Sequence, residues 1–531
     1  MVGKRPEQNN LFDVGNVWDI RLKPKSFHGQ LAPVSHQLFS DEEFAALYVE
    51  GKGRPSVPPS LLALVVLMQV YENLSDQAAI DHTEFDLRWC AVLGREAGTP
   101  LCAKSSLQLF RAHMVLDKRF HLLIERSLEV AKENGLLKEA KLVAAIDTKP
   151  MVGRGAVMDT YNLLGAAMKQ LARAVAKGRG QSLTVFLQQQ DLNYLHTGSV
   201  KGSADIDWSD AAAREGFLSK HVAAARRLVD MMSRQDQAQM EAGELVANIL
   251  CQDISETRNS DGSRVASVKQ GTPPGRIPSV TDPEQRHGRK SKSKKFVGSK
   301  SSVIVDTATG LVLATDVLPG DAGDATGVLA LVEKAEENAG LEIEQTLGDC
   351  AYGSGVQRQE FLDAGRELVA KVPASASKGD LFPKSAFTIE LPQLGAPLSE
   401  ARVTCPQGYQ AREYDNTGQG GVKFYFDHDC HGCPLRKQCT TSKHGRSVQL
   451  HPQERLVQQA RHFQSTAEGR ATLRKRIIVE NGLARMARFG ISQARYNGRA
   501  KSCFQLSVAA AVVNLRRTWN WAGKQTAPVE G

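Results

Sequence analysis

Three acids stand where carboxylates could hold a metal ion. Asp147 follows the apolar run Leu142-Val143-Ala144-Ala145-Ile146, Asp349 sits in Leu347-Gly348-Asp349-Cys350-Ala351-Tyr352-Gly353, and Glu480 lies on a basic stretch near the C-terminus. Oxygen donors without His or Cys suit Mg²⁺ or Mn²⁺ and disfavour Zn²⁺. Two such ions suit in-line displacement at phosphorus, one at the attacking oxygen and one at the leaving oxygen, with no protein nucleophile. Each acid also has a plain structural reading: a strand-end cap for Asp147, an Asx-turn for Asp349, a salt bridge to Arg476 for Glu480. Asp159, Asp306, Asp316, Asp321 and Asp324 are competing acids nearby.

The elements around these acids set what can meet. The apolar run reads as a buried strand that closes on Asp147, leaving the acid at a sheet edge within reach of a ligand. Alternation at Ser302–Asp306, a turn at Thr309-Gly310 and the run Leu311–Leu318 predict a β-hairpin. A helix over 325–338 and a strand near Leu341–Leu347 then lead to Asp349, with a further strand over Glu367–Val372. Glu480 is expected on an apolar stripe of Leu473, Ile477, Leu483, Ala484 and Ala487, where a buried acid needs a partner or a metal.

Residues 35–140 read as short helices, with basic residues at Arg88, Arg95, Lys104, Arg111, Lys118 and Arg119. They suit either a helix-turn-helix reader of DNA or a packing and dimerisation domain. Residues 158–255 read as a helical insertion. Residues 257–300 are polar, rich in Gly and Pro, and end in Arg286, Arg289, Lys290, Lys292, Lys294, Lys295 and Lys300. That composition predicts a flexible basic linker ordered by phosphate, or a merely solvated one.

With 67 Lys and Arg against 58 Asp and Glu, the chain carries a formal charge of +9 over 531 residues, which favours a polyanionic partner. Its length suits several domains. No apolar leader opens the chain, and the longest apolar stretch, Leu61–Val70, is too short for a bilayer. A cytoplasmic protein without a membrane span is expected.

Cys405, Cys430, Cys433 and Cys439 include a C-x2-C knuckle, and four thiols match the ligand set of a structural zinc site. Reduced free cysteines are the other reading, and His428 or His431 could replace one thiol. Cys90, Cys102, Cys251, Cys350 and Cys503 lie apart and read as core residues.

The wording around the acids is more specific than the acids themselves. A-I-D-T-K-P-M-V-G-R-G-A-V-M-D-T-Y-N-L at 145–163, T-L-G-D-C-A-Y-G-S at 346–354 and R-K-R-I-I-V-E-N-G-L-A-R-M at 474–486 resemble, in order, the three catalytic blocks of bacterial insertion-sequence transposases of the DDE type. Similar wording at 53–76, 279–287 and 495–499 extends the resemblance over most of residues 30–520. It implies an α/β fold: a ribonuclease-H-like catalytic core with a helical N-terminal domain, a helical insertion and a small cysteine-rich insertion. The expected boundaries are 1–140 for the N-terminal DNA-binding domain and 141–375 for the first part of the core. Within the latter fall the helical insertion 156–256 and the basic linker 257–300. The cysteine-rich insertion is expected at 376–465 and the C-terminal helical part at 466–531.

The resemblance further implies that Asp147, Asp349 and Glu480 are catalytic and hold two Mg²⁺ or Mn²⁺ ions. The chain would bind terminal inverted repeats, cleave them and join the 3′ ends to target DNA, as a homodimer or larger synaptic complex on the bacterial nucleoid. Arg289, Lys290, Lys292, Lys294, Lys295, Arg476, Arg495 and Arg499 are candidate DNA contacts. The rival readings are a metal-dependent nuclease without strand transfer and a non-catalytic DNA-binding derivative. One departure stands out: related transposases place Tyr, Arg and Lys around the Glu where this chain has Leu473, Arg476 and Ala487. Only the Arg is kept, so the strand-end contacts that the Tyr and Lys make in relatives are either lost here or supplied by Arg485 or Arg488.

Overall fold

A computed structural model describes residues 3–5, 22–49, 55–258, 264–291, 293–374 and 379–525. Its central sheet is built on β1 (Lys141–Val152), whose residues Ala144–Ile146 are fully buried because neighbours cover both edges and both faces. In chain order the hairpin β2 (Ile254–Arg258) and β3 (Arg264–Val268) follows, then β4 (Arg286–Arg289), β5 (Lys295–Asp306), β6 (Val312–Pro319), β7 (Glu342–Gly348) and β8 (Glu367–Ala370). β5 runs antiparallel to β1 on one side, and β7 runs parallel to it on the other. Beyond β5 lies antiparallel β6, with β4 end to end along the same edge; beyond β7 lies parallel β8.

β1 does not close on Asp147, as the sequence suggests, but continues to Val152. The reason is its long antiparallel partner: β5 stays paired with it from Ala144 opposite Asp306 to Val152 opposite Gly298. What ends near Asp147 is β7, whose last paired residue on β1 is Leu347 opposite Ala145. Past that point one edge of β1 has no strand beside it until Val152, where Gln493 bridges to it. Pro150 is tolerated there because the Val152 N–H, two residues on, turns away from β5 to the Ser492 carbonyl, so the donor that Pro150 lacks would face the bare edge.

The segment 257–300 is likewise not a linker throughout. It supplies β3, β4 and the first half of β5, and Ser299, Lys300, Ser301 and Ser302 are buried on that strand. Their polar side chains hide the strand from a search for alternating hydrophobics. Lys300 is held by the Asp324 carboxylate at 2.7 Å and the Ala322 carbonyl at 2.7 Å.

The N-terminal region is helical. Its helix Pro59–Glu72 is buried from Pro59 to Val70, and it shares one continuous hydrophobic core with the sheet and the C-terminal helix Arg499–Gln525. Phe27 packs on Tyr71 and Trp519, joining the two ends of the chain. Two of the basic residues in this region serve the fold: buried Arg111 forks onto Asp76, and Arg88 pairs with Asp86 and Glu72. The helices between β1 and β2, of which Thr160–Gly178, Ala211–Asp230 and Gln237–Asp253 are the longest, close a second core of their own. A third small core lies under β9 (Thr388–Glu390), β10 (Arg402–Thr404), β11 (Glu413–Asn416), β12 (Val422–Tyr425) and β13 (Ser447–Leu450). Among the described residues, no helix is long and apolar enough to cross a membrane.

Candidate active site

Continuing the parallel register of Ala145 opposite Leu347 by two residues sets Asp147 level with Asp349, the first residue beyond β7. Neighbouring strands lie about 4.8 Å apart, so the two acids stand side by side at the edge where β7 stops. Asp349 forms the expected Asx-turn, its Oδ1 accepting from the Ala351 N–H at 2.8 Å. This bond fixes the side chain without using its second oxygen.

The helix Ile477–Ala487 brings the third acid. Gly482 lets it lie close on β5, since a Cβ there would stand 3.1 Å from Val305. Its buried face is Val479, Gly482, Leu483 and Met486, not the stripe read from the sequence; Ile477 is 61% exposed. The mismatch has a simple cause. Leu473 belongs to the preceding helix Ala467–Arg474, so spacing counted across the break does not define one face. Glu480 is therefore an exposed acid at the rim, with a side chain 52% accessible. Its salt-bridge reading holds as well: Arg476 Nη2 donates to Glu480 Oε1 at 2.6 Å, while Nη1 reaches Asp147 Oδ2 at 3.3 Å. Arg476 thus ties two of the three acids together.

The electrostatics favour a cation. Burial pushes the Asp147 carboxyl up to about 6; the Thr148 N–H and Arg476 pull it down, and the Asp349 and Glu480 carboxylates push it up again. Asp147 thus feels both other acids, and the one arginine beside it is shared with Glu480. Tyr352 lies beneath them, fully buried, and its Oη has no hydrogen-bond partner among the described residues. Burial, then Asp147, Asp324 and Asp349, raise its hydroxyl well above the ordinary value. Sequence reasoning passed over Tyr352; its place three residues after Asp349 is the signal that could have found it. An oxygen-only donor set with excess negative charge fits a hard divalent ion. As placed, the three acids do not form a compact ligand cage. Among the described residues, the only group of three or more His, Cys, Asp and Glu side chains converging within 4.8 Å of one another is Glu72, His82 and Asp86, in the N-terminal region.

An unpartnered buried hydroxyl costs stability, so Tyr352→Phe is expected to stabilise the metal-free protein by about 1 kcal/mol. Denaturant unfolding checks this, and a loss of stability would show that the hydroxyl has a partner.

The competing acids have other work. Asp306 holds the Thr309 turn, Asp316 accepts from the Val317 N–H, Asp321 from the Gly275 N–H, and Asp159 caps a helix. Only Asp324, paired with Lys300, borders the site.

The candidate DNA contacts divide. Arg289, Lys290, Lys294 and Lys295 are exposed around the tip of the β4–β5 hairpin, and Lys292 lies outside the described residues. From Val303, opposite Asp147, to Lys295 the strand reaches roughly 26 Å, at about 3.3 Å per residue, past the carboxylate edge. Arg495 is tied to the Leu74 carbonyl and to Asp76, and Arg499 to Glu284. Arg485 and Arg488 line a cavity at the other end of the sheet, so they do not replace the missing Tyr and Lys beside Glu480.

Cys405, Cys430, Cys433 and Cys439 line one small cavity. Burial, then the nearby Cys430, Cys405 and Cys433 against an opposing Arg446, raises the Cys439 thiol. Sulfurs around zinc stand about 3.8 Å apart, given Zn–S of about 2.3 Å. Here no three of the Sγ atoms lie within 4.8 Å of one another. His428 is 90% exposed and outside the cavity lining, which removes it as a substitute ligand. All nine cysteines are free, and Cys251 and Cys350 are exposed rather than in the core.

Two family models match the chain: one described as "Transposase DDE domain" over residues 404–519, and one described as "Transposase domain (DUF772)" over residues 18–113. The first contains Glu480 and the four clustered cysteines; Asp147 and Asp349 lie between the two matches. No curated protein and no solved structure matches the chain.

Proposed function

We propose that this chain, a transposase by its two family matches and consistent with the DDE type of insertion sequences, cuts the ends of its element and joins the freed 3′ ends to target DNA. The observation that carries the reading is the level placement of Asp147 and Asp349 at the end of β7, with Glu480 tethered to Asp147 through Arg476. The order β6–β5–β1–β7–β8, antiparallel on one side of β1 and parallel on the other, supports a ribonuclease-H-like core.

Asp147, Asp349 and Glu480 would hold two Mg²⁺ or Mn²⁺ ions, which when bound supply charge neutralisation at the reacting phosphorus. Asp147, on a strand paired along its whole β5 side, is the fixed member of the set. Glu480, at the exposed start of its helix, is the adjustable one. Arg476 positions both and stands where a phosphate oxygen would come close. The cations at the β4–β5 tip extend the same edge and would follow the DNA backbone away from the site. The partner is double-stranded DNA, both terminal repeats and target, handled by a homodimer or larger assembly in the bacterial cytoplasm.

The test uses a labelled terminal repeat and, separately, a precleaved repeat with a supercoiled plasmid, in Mg²⁺ and in chelator. Metal-dependent cutting together with joining of the precleaved end is the expected result. Cutting without joining would make the chain a nuclease, and binding without either would make it a non-catalytic derivative.

For the cysteine cluster, whose four thiols line one cavity but do not converge as placed, we propose that a structural zinc ion draws Cys405, Cys430, Cys433 and Cys439 together. Protein purified without chelator should carry about one zinc per chain, and Cys433→Ser should lower that content while all other cysteines stay intact. Zinc-free protein that melts at the same temperature as the purified form would refute the site.

A further inference from the structure

A cavity of about 620 Å³ opens between the end of the Ile477–Ala487 helix, the C-terminal helix and the segment Gly135–Glu139. Leu142 and Asp306 line it, which sets it at the start of β1 and the end of β5. Asp147 stands five residues along β1 from Leu142, roughly 16 Å at about 3.3 Å per residue, so this is not the carboxylate site. Apolar residues such as Leu136, Phe489 and Val513 line the cavity together with Lys138, Arg485, Arg488, Arg516 and Arg517, against only Glu139 and Asp306.

Asp306 is the one acid beside Arg517, and its Oδ2 also accepts from the Thr309 N–H at 2.7 Å and from the Thr309 hydroxyl, leaving a single carboxylate against two arginines. Arg485 Nη1 is buried and has no hydrogen-bond partner among the described residues. Arg517 donates to the Thr309 carbonyl; burial and then the nearby Arg485 charge lower its basicity, and the Asp306 carboxylate offsets them only in part. Arginine cannot escape such crowding by giving up its proton. Two close guanidiniums in a half-buried wall call for an anion, and their fork geometry suits the oxygens of a phosphate. Trp521 adds a flat aromatic face to the same wall. A base stacked on an aromatic ring beside arginine-held phosphate is a recurrent arrangement in nucleic-acid binding, and the volume falls in the range of small-ligand pockets.

We propose that this cavity binds a phosphate flanked by a nucleobase, with Arg485 and Arg517 on the phosphate and Trp521 against the base. Two sources offer that chemistry: a free nucleotide, or the unpaired end of a DNA strand. The cavity itself argues for the site whatever the chain does at its carboxylates; only the preference for a strand end rests on the transposase reading. The helix that carries Glu480 at its start carries Arg485 near its end, so an occupant here would bear on the element that presents the third acid.

The experiment titrates full-length protein, in chelator, with inorganic phosphate, ATP and a short 5′-phosphorylated single-stranded oligonucleotide at several salt concentrations. Arg485→Gln and Arg517→Gln should each weaken ATP or oligonucleotide binding at least about tenfold and reduce the salt dependence of oligonucleotide binding by about one ion. Lys at either position should restore part of the loss. Trp521→Leu should weaken ATP and oligonucleotide but not phosphate. Relief of the arginine repulsion should leave both Gln variants at least as stable as wild type, so a loss of binding would not be a loss of fold. Oligonucleotide that displaces ATP identifies a strand end as occupant; ATP binding without displacement identifies a free nucleotide. Failure of every probe to bind, or Gln variants that bind like wild type, overturns the site. Asp147→Asn serves as the control: it should reduce cutting about 10³-fold and leave these titrations unchanged, so the two proposals fail separately.

Discussion

Asp147→Asn is expected to make the metal-free protein more stable at pH 7 by about 2–3 kcal/mol while reducing DNA cutting about 10³-fold. The stability gain follows from the rise of the Asp147 carboxyl from 3.8 to about 6, caused first by burial. At about 1.4 kcal/mol per pKa unit, the charged form is penalised in the fold by that amount. The sign runs opposite to that of a salt-bridged acid: the penalty is absent below pH 3.8, grows as the pH rises to about 6, and is complete above it. Asparagine, neutral and nearly isosteric, should therefore match wild type near pH 3.5 and exceed it at pH 7. The loss of activity follows because several kcal/mol of charge stabilisation at the reacting phosphorus depends on the ions these acids would hold. Mg²⁺ should raise the melting temperature of wild type more than that of the variant, closing the gap. Thermal melts at two pH values with and without Mg²⁺, beside a cleavage assay, decide it. An Asn variant that is less stable at pH 7, or one that still cuts, would show that Asp147 is a structural acid.

This trade-off locates what the sequence discloses. An apolar run ending in an acid announced a buried strand, and the runs Leu311–Leu318 and Leu341–Leu347 correspond to β6 and β7. Local periodicity sufficed there because one strand occupies one run. The same logic failed at Ser299–Ser302, where the central strand β5 buries polar residues and partners such as Asp324 come from elsewhere. It failed at Glu480 because a helix break is a backbone event that leaves hydrophobic spacing intact. The candidate triad was legible through the wording around it. What local reading omitted is relational: that Arg476 spans two acids, that Tyr352 lies under them, and that Arg485 faces the far end of the sheet. Such facts depend on register, which a single chain does not spell out.

Asn514 is the sharpest case of a relation the sequence hides, and its loss should be the most damaging single change to the fold. It stands in the apolar run Ala509-Ala510-Ala511-Val512-Val513-Asn514-Leu515 and is fully buried on the C-terminal helix. In sequence it reads as a flaw in a hydrophobic helix. In the structure its Oδ1 accepts from the Val312 N–H at 2.7 Å, and its Nδ2 donates to the Val312 carbonyl at 2.8 Å and to Ser127 Oγ at 3.0 Å. Val312 begins β6, the strand beyond β5, so the amide substitutes for a missing neighbouring strand and closes that edge under the helix. Asn514→Ala would strand the Val312 N–H and carbonyl away from water, each at about 1–3 kcal/mol, while the Ser127 hydroxyl keeps its bond to the Ile124 carbonyl. The expected destabilisation is about 3–5 kcal/mol, a large part of the total stability of an ordinary domain. Asn514→Asp should be as severe at neutral pH, since it removes the donor and sets a carboxylate against the Val312 carbonyl, and should recover partly in acid as the carboxyl regains a proton. Chemical unfolding of the three proteins at pH 5 and pH 8 separates these effects. A loss below about 1 kcal/mol for Asn514→Ala would mean that water reaches Val312 and that the edge is closed by packing rather than by this side chain.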